Sequence, residues 1–222
     1  MTHGNGLDDA YTTTLTRLRA QKGYKSVLGM KFLMWVLHSE RPIQGQELRH
    51  ALRVEIGSTD LYPENVPASR TLLASCLGLV IIEASSSTVR LVQFTLQEYL
   101  SRDPTLFQSP PHSTIAKVCL AYLNFRCVRD LSPTLCSAPA IIPLLEYASF
   151  YWMWHTRRGM TENIKTLALR LFNRLGDYIS AQLILLNYNR GRGWGQYLYP
   201  ALGPTRFTGL HGAAFLGIMG RG

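Results

Sequence analysis

LGLVIIEASSSTVRLVQFTLQEYL, residues 77–100, changes its periodicity more than once over a short span. Residues 79–83 and 88–94 are rich in Val, Ile and Leu. In the second run Val89, Leu91 and, one step on, Gln93 share one face, while Arg90 and Val92 share the other. Ala84, Ser85, Ser86 and Ser87 between them are small and polar, the composition of a tight connection between antiparallel strands. A short helix is expected over 96–101, with the Thr95 hydroxyl placed to cap it. The stretch predicts a hairpin that runs straight into a helix.

Working back from it, a helix is expected over 68–77, stopped near Gly78. A loop rich in turn formers occupies 57–67. Residues 44–54 have helical spacing through Leu48, Ala51 and Leu52, and Pro42 forces the segment before them, Arg41, Pro42 and Ile43, to be extended. SVLGMKFLMWVLH, residues 26–38, is apolar nearly all round, as expected of a helix buried on several sides, with Trp35 in the core. Residues 7–22 place Leu7, Tyr11, Leu15 and Leu18 on one face of an amphipathic lead-in helix. Helix, short strand, helix, helix, strand, strand, helix is the order of a winged helix.

Working forward, the β signal disappears. Helical patterns fill 114–125, 140–157, 161–175 and 177–187, punctuated by Pro110, Pro111, Pro133 and Gly159. The expected class is therefore mainly α with a small β-hairpin. It divides into a winged-helix-like domain with its lead-in helix at 7–103, a helical arm at 104–188, a flexible glycine- and arginine-bearing connector at 189–206 and a separate terminal motif at 207–222.

Composition narrows the function classes. With 222 residues, 46% of them hydrophobic, the chain buries a real core. Cys76, Cys119, Cys127 and Cys136 have no CxxC spacing and no nearby histidine pair, which argues against zinc and redox motifs and for a reducing, intracellular and cytoplasmic setting. The opening residues lack a secretory pattern, and the longest apolar stretches are too short or too interrupted for a bilayer, so no membrane role is expected. The net charge of +9 is uneven: residues 1–104 hold 11 Lys and Arg against 10 Asp and Glu, and residues 105–222 hold 12 against 4. A basic C-terminal half invites a nucleic-acid reading.

Two resemblances to known families follow from particular residues. FTGLHGAAFLGI, residues 207–218, resembles the first helix of an ankyrin repeat through Thr208, Leu210, His211, Ala213, Ala214 and Gly217, with Gly209 where that family has proline. ERPIQGQELRHALRVEIGSTDL at 40–61, the region 72–100 and LLEYASFYWMWHTRR at 144–158 resemble the region that follows the NACHT domain in fungal NLR-like (STAND) proteins, described as a winged-helix domain of the GPI inositol-deacylase type. The resemblance implies a non-enzymatic regulatory and protein-interaction segment, its partners being NACHT and ankyrin domains of a longer protein. It implies no small-molecule substrate and no cofactor. The sequence holds no GxxxxGK[ST] loop to cradle phosphates, and the deacylase in the domain name needs a nucleophile and a base that the segment does not present. A nucleic-acid-binding winged helix, or a truncated gene product without independent function, are the competing readings.

Candidate sites are few. The resemblance places Gln93 where related winged helices carry a histidine that touches bound nucleotide; the bland reading is that Gln93 ends an edge strand. On the expected recognition helix at 68–77, Arg70 stands alone among leucines and alanines, which argues against base reading. Tyr147, Phe150, Tyr151, Trp152 and Trp154, followed by His155, Arg157 and Arg158, have the composition of a stacking platform for single strands. Tyr147, Tyr151 and Trp154 fall at helical spacing, however, and such a stripe serves packing. His38, His50 and His112 lack ligand-type neighbours in sequence and are expected to be filler, so no metal ligand and no catalytic residue is assigned.

Overall fold

The computed structural model describes residues 3–61, 68–103, 105–131 and 139–173. The expected helix at 177–187, the connector at 189–206 and the ankyrin-like motif with Thr208, Leu210, His211, Ala213, Ala214 and Gly217 lie outside the described residues. The chain forms two compact units, one of Met1–Arg53 with Pro63–Pro111 and one of Val54–Tyr62 with His112–Gly222.

In the first unit α1 (His3–Arg19), α2 (Tyr24–His38), α3 (Gly45–Ala51) and α4 (Ser69–Ser75) precede the hairpin β1 (Val80–Ile82) and β2 (Val89–Leu91), and α5 (Phe94–Ser101) closes the unit. This is the mainly helical fold with a small hairpin that the periodicities predict, in the winged-helix order. The strands pair antiparallel, with Val80 opposite Leu91 and Ile82 opposite Val89. Val89 and Leu91 are buried and Arg90 is exposed, as the alternation requires.

The extended stretch forced by Pro42 forms a third rail of the wing. The Val89 N–H donates to the Ile43 carbonyl at 2.8 Å, the Gly45 N–H to the Ser87 carbonyl at 2.9 Å, and Gln44 bridges Thr88. Glu47, buried in the first turn of α3, accepts the Gln44 backbone N–H at 2.8 Å and takes both arms of the Arg41 guanidinium at 2.9 and 2.6 Å. This two-pronged geometry fixes the rail to the helix it precedes.

α2 is the central column, packed against α1, α4 and α5. Phe32, Leu33 and Trp35 are almost fully buried on it, which explains its apolar character all round. Gly29 lets α4 come close: a Cβ there would lie 2.5 Å from the Ser75 carbonyl oxygen, which also accepts a hydrogen bond from Gln21 Nε2 at 2.8 Å. After α4 the chain turns through Leu77 and Gly78, both at positive φ.

The second unit contains α6 (Pro111–Leu123), the single turn α7 (Arg126–Arg129), α8 (Leu144–Arg158) and α9 (Glu162–Phe172). α8 begins after Pro143 rather than at 140, because proline fixes the entry and is tolerated only at a helix start. Thr161 caps α9 by accepting the Ile164 N–H at 3.4 Å. Trp152 of α8 stacks at a tilt on Phe172 of α9, with ring centroids 5.5 Å apart. Residues 54–61 also belong to this unit: the Arg126 N–H donates to the Thr59 carbonyl at 3.0 Å, and the Cys127 N–H reaches Asp60 Oδ1 at 3.4 Å.

Candidate functional site

Gln93 is the residue that the family resemblance singled out, and the structure places it at the junction of wing and helix. It neither extends the alternation of β2 nor ends the strand. β2 ends at Leu91, the Val92 N–H adds one last in-register bond to the Leu79 carbonyl at 3.0 Å, and Gln93 takes the N-cap position of α5 with extended backbone. The helix thus begins at Phe94, and Thr95, expected as its cap, sits in the first turn.

Both side chains serve a different contact. The Tyr11 hydroxyl donates to Gln93 Oε1 at 2.6 Å and lies 2.8 Å from Thr95 Oγ1, whose own hydroxyl supplies the second hydrogen. Further along the same seam Thr12 meets the Tyr99 hydroxyl at 2.8 Å, Arg102 pairs with Asp8 at 2.8 Å, and the rings of Tyr11 and Tyr99 lie 5.5 Å apart. Tyr11, Leu15 and Leu18 are buried beneath these polar contacts. The lead-in helix is thereby fastened to the last helix of the winged fold by a row of specific side-chain bonds over an apolar stripe. Sequence reasoning found Tyr11, Leu15 and Leu18 of the stripe, wrongly added Leu7, which is exposed near the start of α1, and missed the polar row, whose members are separated by more than eighty residues.

The outer face of α4 is formed by Arg70, Thr71 and Ala74, which are exposed, while Leu72, Ser75 and Cys76 turn inward. A side chain set able to read base edges needs several bidentate donors, and this face offers one guanidinium. Next to the wing, Phe94 is 71% exposed and Val92 is exposed beside it, so the junction is partly apolar.

In the second unit the aromatic run of α8 is a packing element. Tyr147 and Trp152 are its most buried rings, whereas Tyr151 and Trp154, grouped with Tyr147 by spacing, are half-buried. α8 therefore buries a broad face rather than the single expected stripe.

His112 is more than filler. Its Nδ1 lies 2.9 Å from Nδ1 of His155, and His155 Nε2 lies 3.0 Å from the hydroxyl of Tyr147. His155 and Tyr147 are fully buried and His112 is half-buried. The approach rests on close contact between Ser113 and Gly159: the Ser113 side-chain hydroxyl donates to the Gly159 carbonyl at 2.7 Å, and a Cβ at Gly159 would lie 2.6 Å from the Ser113 backbone nitrogen. Only glycine at the end of α8 allows the start of α6 to come so near.

The hairpin, the third rail and the three helices around α2 define a winged helix. Comparison with known families makes this more specific: residues 15–109 match the model described as GPI inositol-deacylase, winged helix domain. That segment is a winged-helix domain of the GPI inositol-deacylase type; Tyr11 and Asp8, which hold the seam from α1, precede the matched residues. No curated protein and no solved structure matches the chain. Among the described residues no helix is long and apolar enough to cross a membrane.

Proposed function

We propose that the chain is a non-enzymatic relay and protein-interaction segment of an NLR-like signalling protein, working between a NACHT nucleotide switch and ankyrin repeats. The observation that carries this reading is the seam from Tyr11, Thr12 and Asp8 to Gln93, Thr95, Tyr99 and Arg102. A helix on the N-terminal side of the winged fold is coupled to that fold's last helix by directional bonds. A displacement of α1 is then transmitted to α5 instead of being absorbed by a slippery apolar contact. Gln93 contributes an uncharged amide to this coupling, where a histidine would titrate near neutral pH.

Two measurements on the purified chain test the reading. Labelled ATP and labelled duplex DNA are each titrated in by fluorescence anisotropy at physiological salt. The reading expects no saturable micromolar binding of either, since the phosphate loop is absent from the sequence and α4 presents Arg70 alone. Salt-dependent DNA retention that is lost on Arg70→Ala would favour a nucleic-acid-binding winged helix instead. Hydrogen exchange then tests the coupling. Tyr11→Phe, which removes both hydroxyl bonds, is expected to raise exchange in 94–101 as well as in α1, and a rise confined to α1 would contradict the relay.

A further inference from the structure

We propose that His112 and His155 form a binding site for a borderline divalent transition-metal ion of the zinc, cobalt or nickel type. The two imidazoles present the same ring nitrogen to each other, Nδ1 to Nδ1, at 2.9 Å, with ring planes 33° apart. Two lone pairs do not face each other at that distance. Either a proton stands between the nitrogens or a cation does, and imidazole nitrogen is a preferred donor for these metals. Metal–nitrogen bonds of about 2.05 Å set the two nitrogens about 2.9 Å apart at a right angle and about 3.3 Å apart at the tetrahedral angle. The observed separation therefore fits a cis pair directly and reaches the tetrahedral one by a few tenths of an ångström.

The surroundings of the pair are those of a ligand set. A metal-binding histidine characteristically uses its other ring nitrogen to hold an orienting partner. His155 does so through Nε2 and the Tyr147 hydroxyl at 3.0 Å, in a fully buried position that leaves the ring little freedom. When a metal takes both Nδ1 atoms, each ring carries its proton on Nε2. His155 then donates Nε2–H to the Tyr147 oxygen, so a neutral pair binds by a change of tautomer with no net loss of protons. The Ser113 hydroxyl bond to the Gly159 carbonyl and the close approach of the two residues preset the spacing of the two helices, so little ordering is left to binding. His112 is half-buried, which gives an ion a way in. The pair supplies two of the four to six positions that such an ion takes.

The test uses the full, untagged chain, stripped of metal, with Co(II) as the probe and Zn(II) as competitor. Expected are one equivalent of Co(II) bound in the micromolar range, a visible absorption band, and its loss on addition of Zn(II). His112→Gln, on the half-buried partner, is expected to weaken binding at least 10-fold with the helical circular dichroism unchanged. Tyr147→Phe keeps the ring and removes only the orienting hydroxyl, and is expected to weaken it about 10-fold. Cys127→Ser is expected to leave the affinity within 2-fold. Absence of saturable Co(II) and Zn(II) binding to the wild-type chain would show a hydrogen-bonded pair only and overturn the proposal. Binding that survives both His112→Gln and His155→Gln would overturn it equally, because the metal would then sit elsewhere.

Discussion

Gly29→Ala sets two physical effects against each other, and the structure decides which prevails. Helix propensity alone favours alanine by about 1 kcal/mol in a helix interior. At position 29, however, the added methyl lies 2.5 Å from the Ser75 backbone oxygen, 0.9 Å inside the 3.4 Å at which ordinary contact begins. The obstacle is a carbonyl belonging to the turn that ends α4, not the tip of a flexible side chain, so α2 and α4 must separate. Overpacking of this kind costs about 1–3 kcal/mol. The same carbonyl holds Gln21 Nε2 at 2.8 Å, a bond worth about 1 kcal/mol that the separation stretches. After the propensity gain is subtracted, a net loss of about 1–3 kcal/mol remains, or roughly 5–20 °C in Tm for a unit of this size. Thermal and urea unfolding followed by circular dichroism measure it. Gly6→Ala, on α1 with no atom within 4 Å of the added carbon, supplies the control and should stabilise by about 0.5–1 kcal/mol. A Gly29→Ala midpoint at or above that of the wild type would refute the α2–α4 packing described above.

Other expectations follow from single residues. Trp35, 1% exposed, should cost about 3–5 kcal/mol on substitution by alanine, and an unchanged melting temperature would place it outside the core. Burial, aided by the Arg49 charge, holds His50 below its ordinary 6.5. The folded state thus binds this proton less readily than the unfolded chain, so stability is fully present above pH 6.5 and is lost as the pH falls below it. His50→Gln should flatten that limb of a urea-midpoint profile between pH 7 and 5, and an identical profile would remove His50 as its source. Cys76 and Cys127 are both pushed up to about 12, Cys76 by burial and Cys127 by desolvation of its sulfur and then by the Asp60 carboxylate. Iodoacetamide at pH 8 should accordingly label both slowly in the native chain, and Asp60→Asn should accelerate Cys127. Labelling of native Cys127 at the rate of the denatured chain would contradict this.

Local patterning carried most of the fold and little of the chemistry. The hairpin was legible because Val89, Arg90 and Leu91 alternate, and α2 because 26–38 is apolar on all sides; both signals lie within a few neighbouring residues. The start of α5 moved to Phe94 because neither Gln93 nor Thr95 caps the helix with its side chain; both reach the Tyr11 hydroxyl instead. α7 went unexpected, since a single turn carries no measurable period. The pairing of His112 with His155, 43 residues apart, depends on the lack of a side chain at Gly159. Nothing in sequence spacing marks that glycine as different from a loop breaker. Tyr11 reaching Gln93 across 82 residues is hidden for the same reason, because a tyrosine on an apolar stripe looks like any other core residue until its hydroxyl finds a partner.

The excursion of residues 54–61 bears on how such a chain is divided and inherited. Their carbonyl and carboxylate partners, the amides of Arg126 and Cys127, lie beyond residue 109, where the family match ends. A fragment excised at 15 and 109 carries Thr59 and Asp60 away from those amides and leaves α7 without them. The winged domain is continuous as a unit of alignment yet interrupted as a unit of contact. A recombination event with one junction after residue 109 delivers the module with this loop released from the two amides, the exposed Thr59 carbonyl and the Asp60 carboxylate then being hydrated by water. Transfer that preserves these bonds extends at least through residue 127.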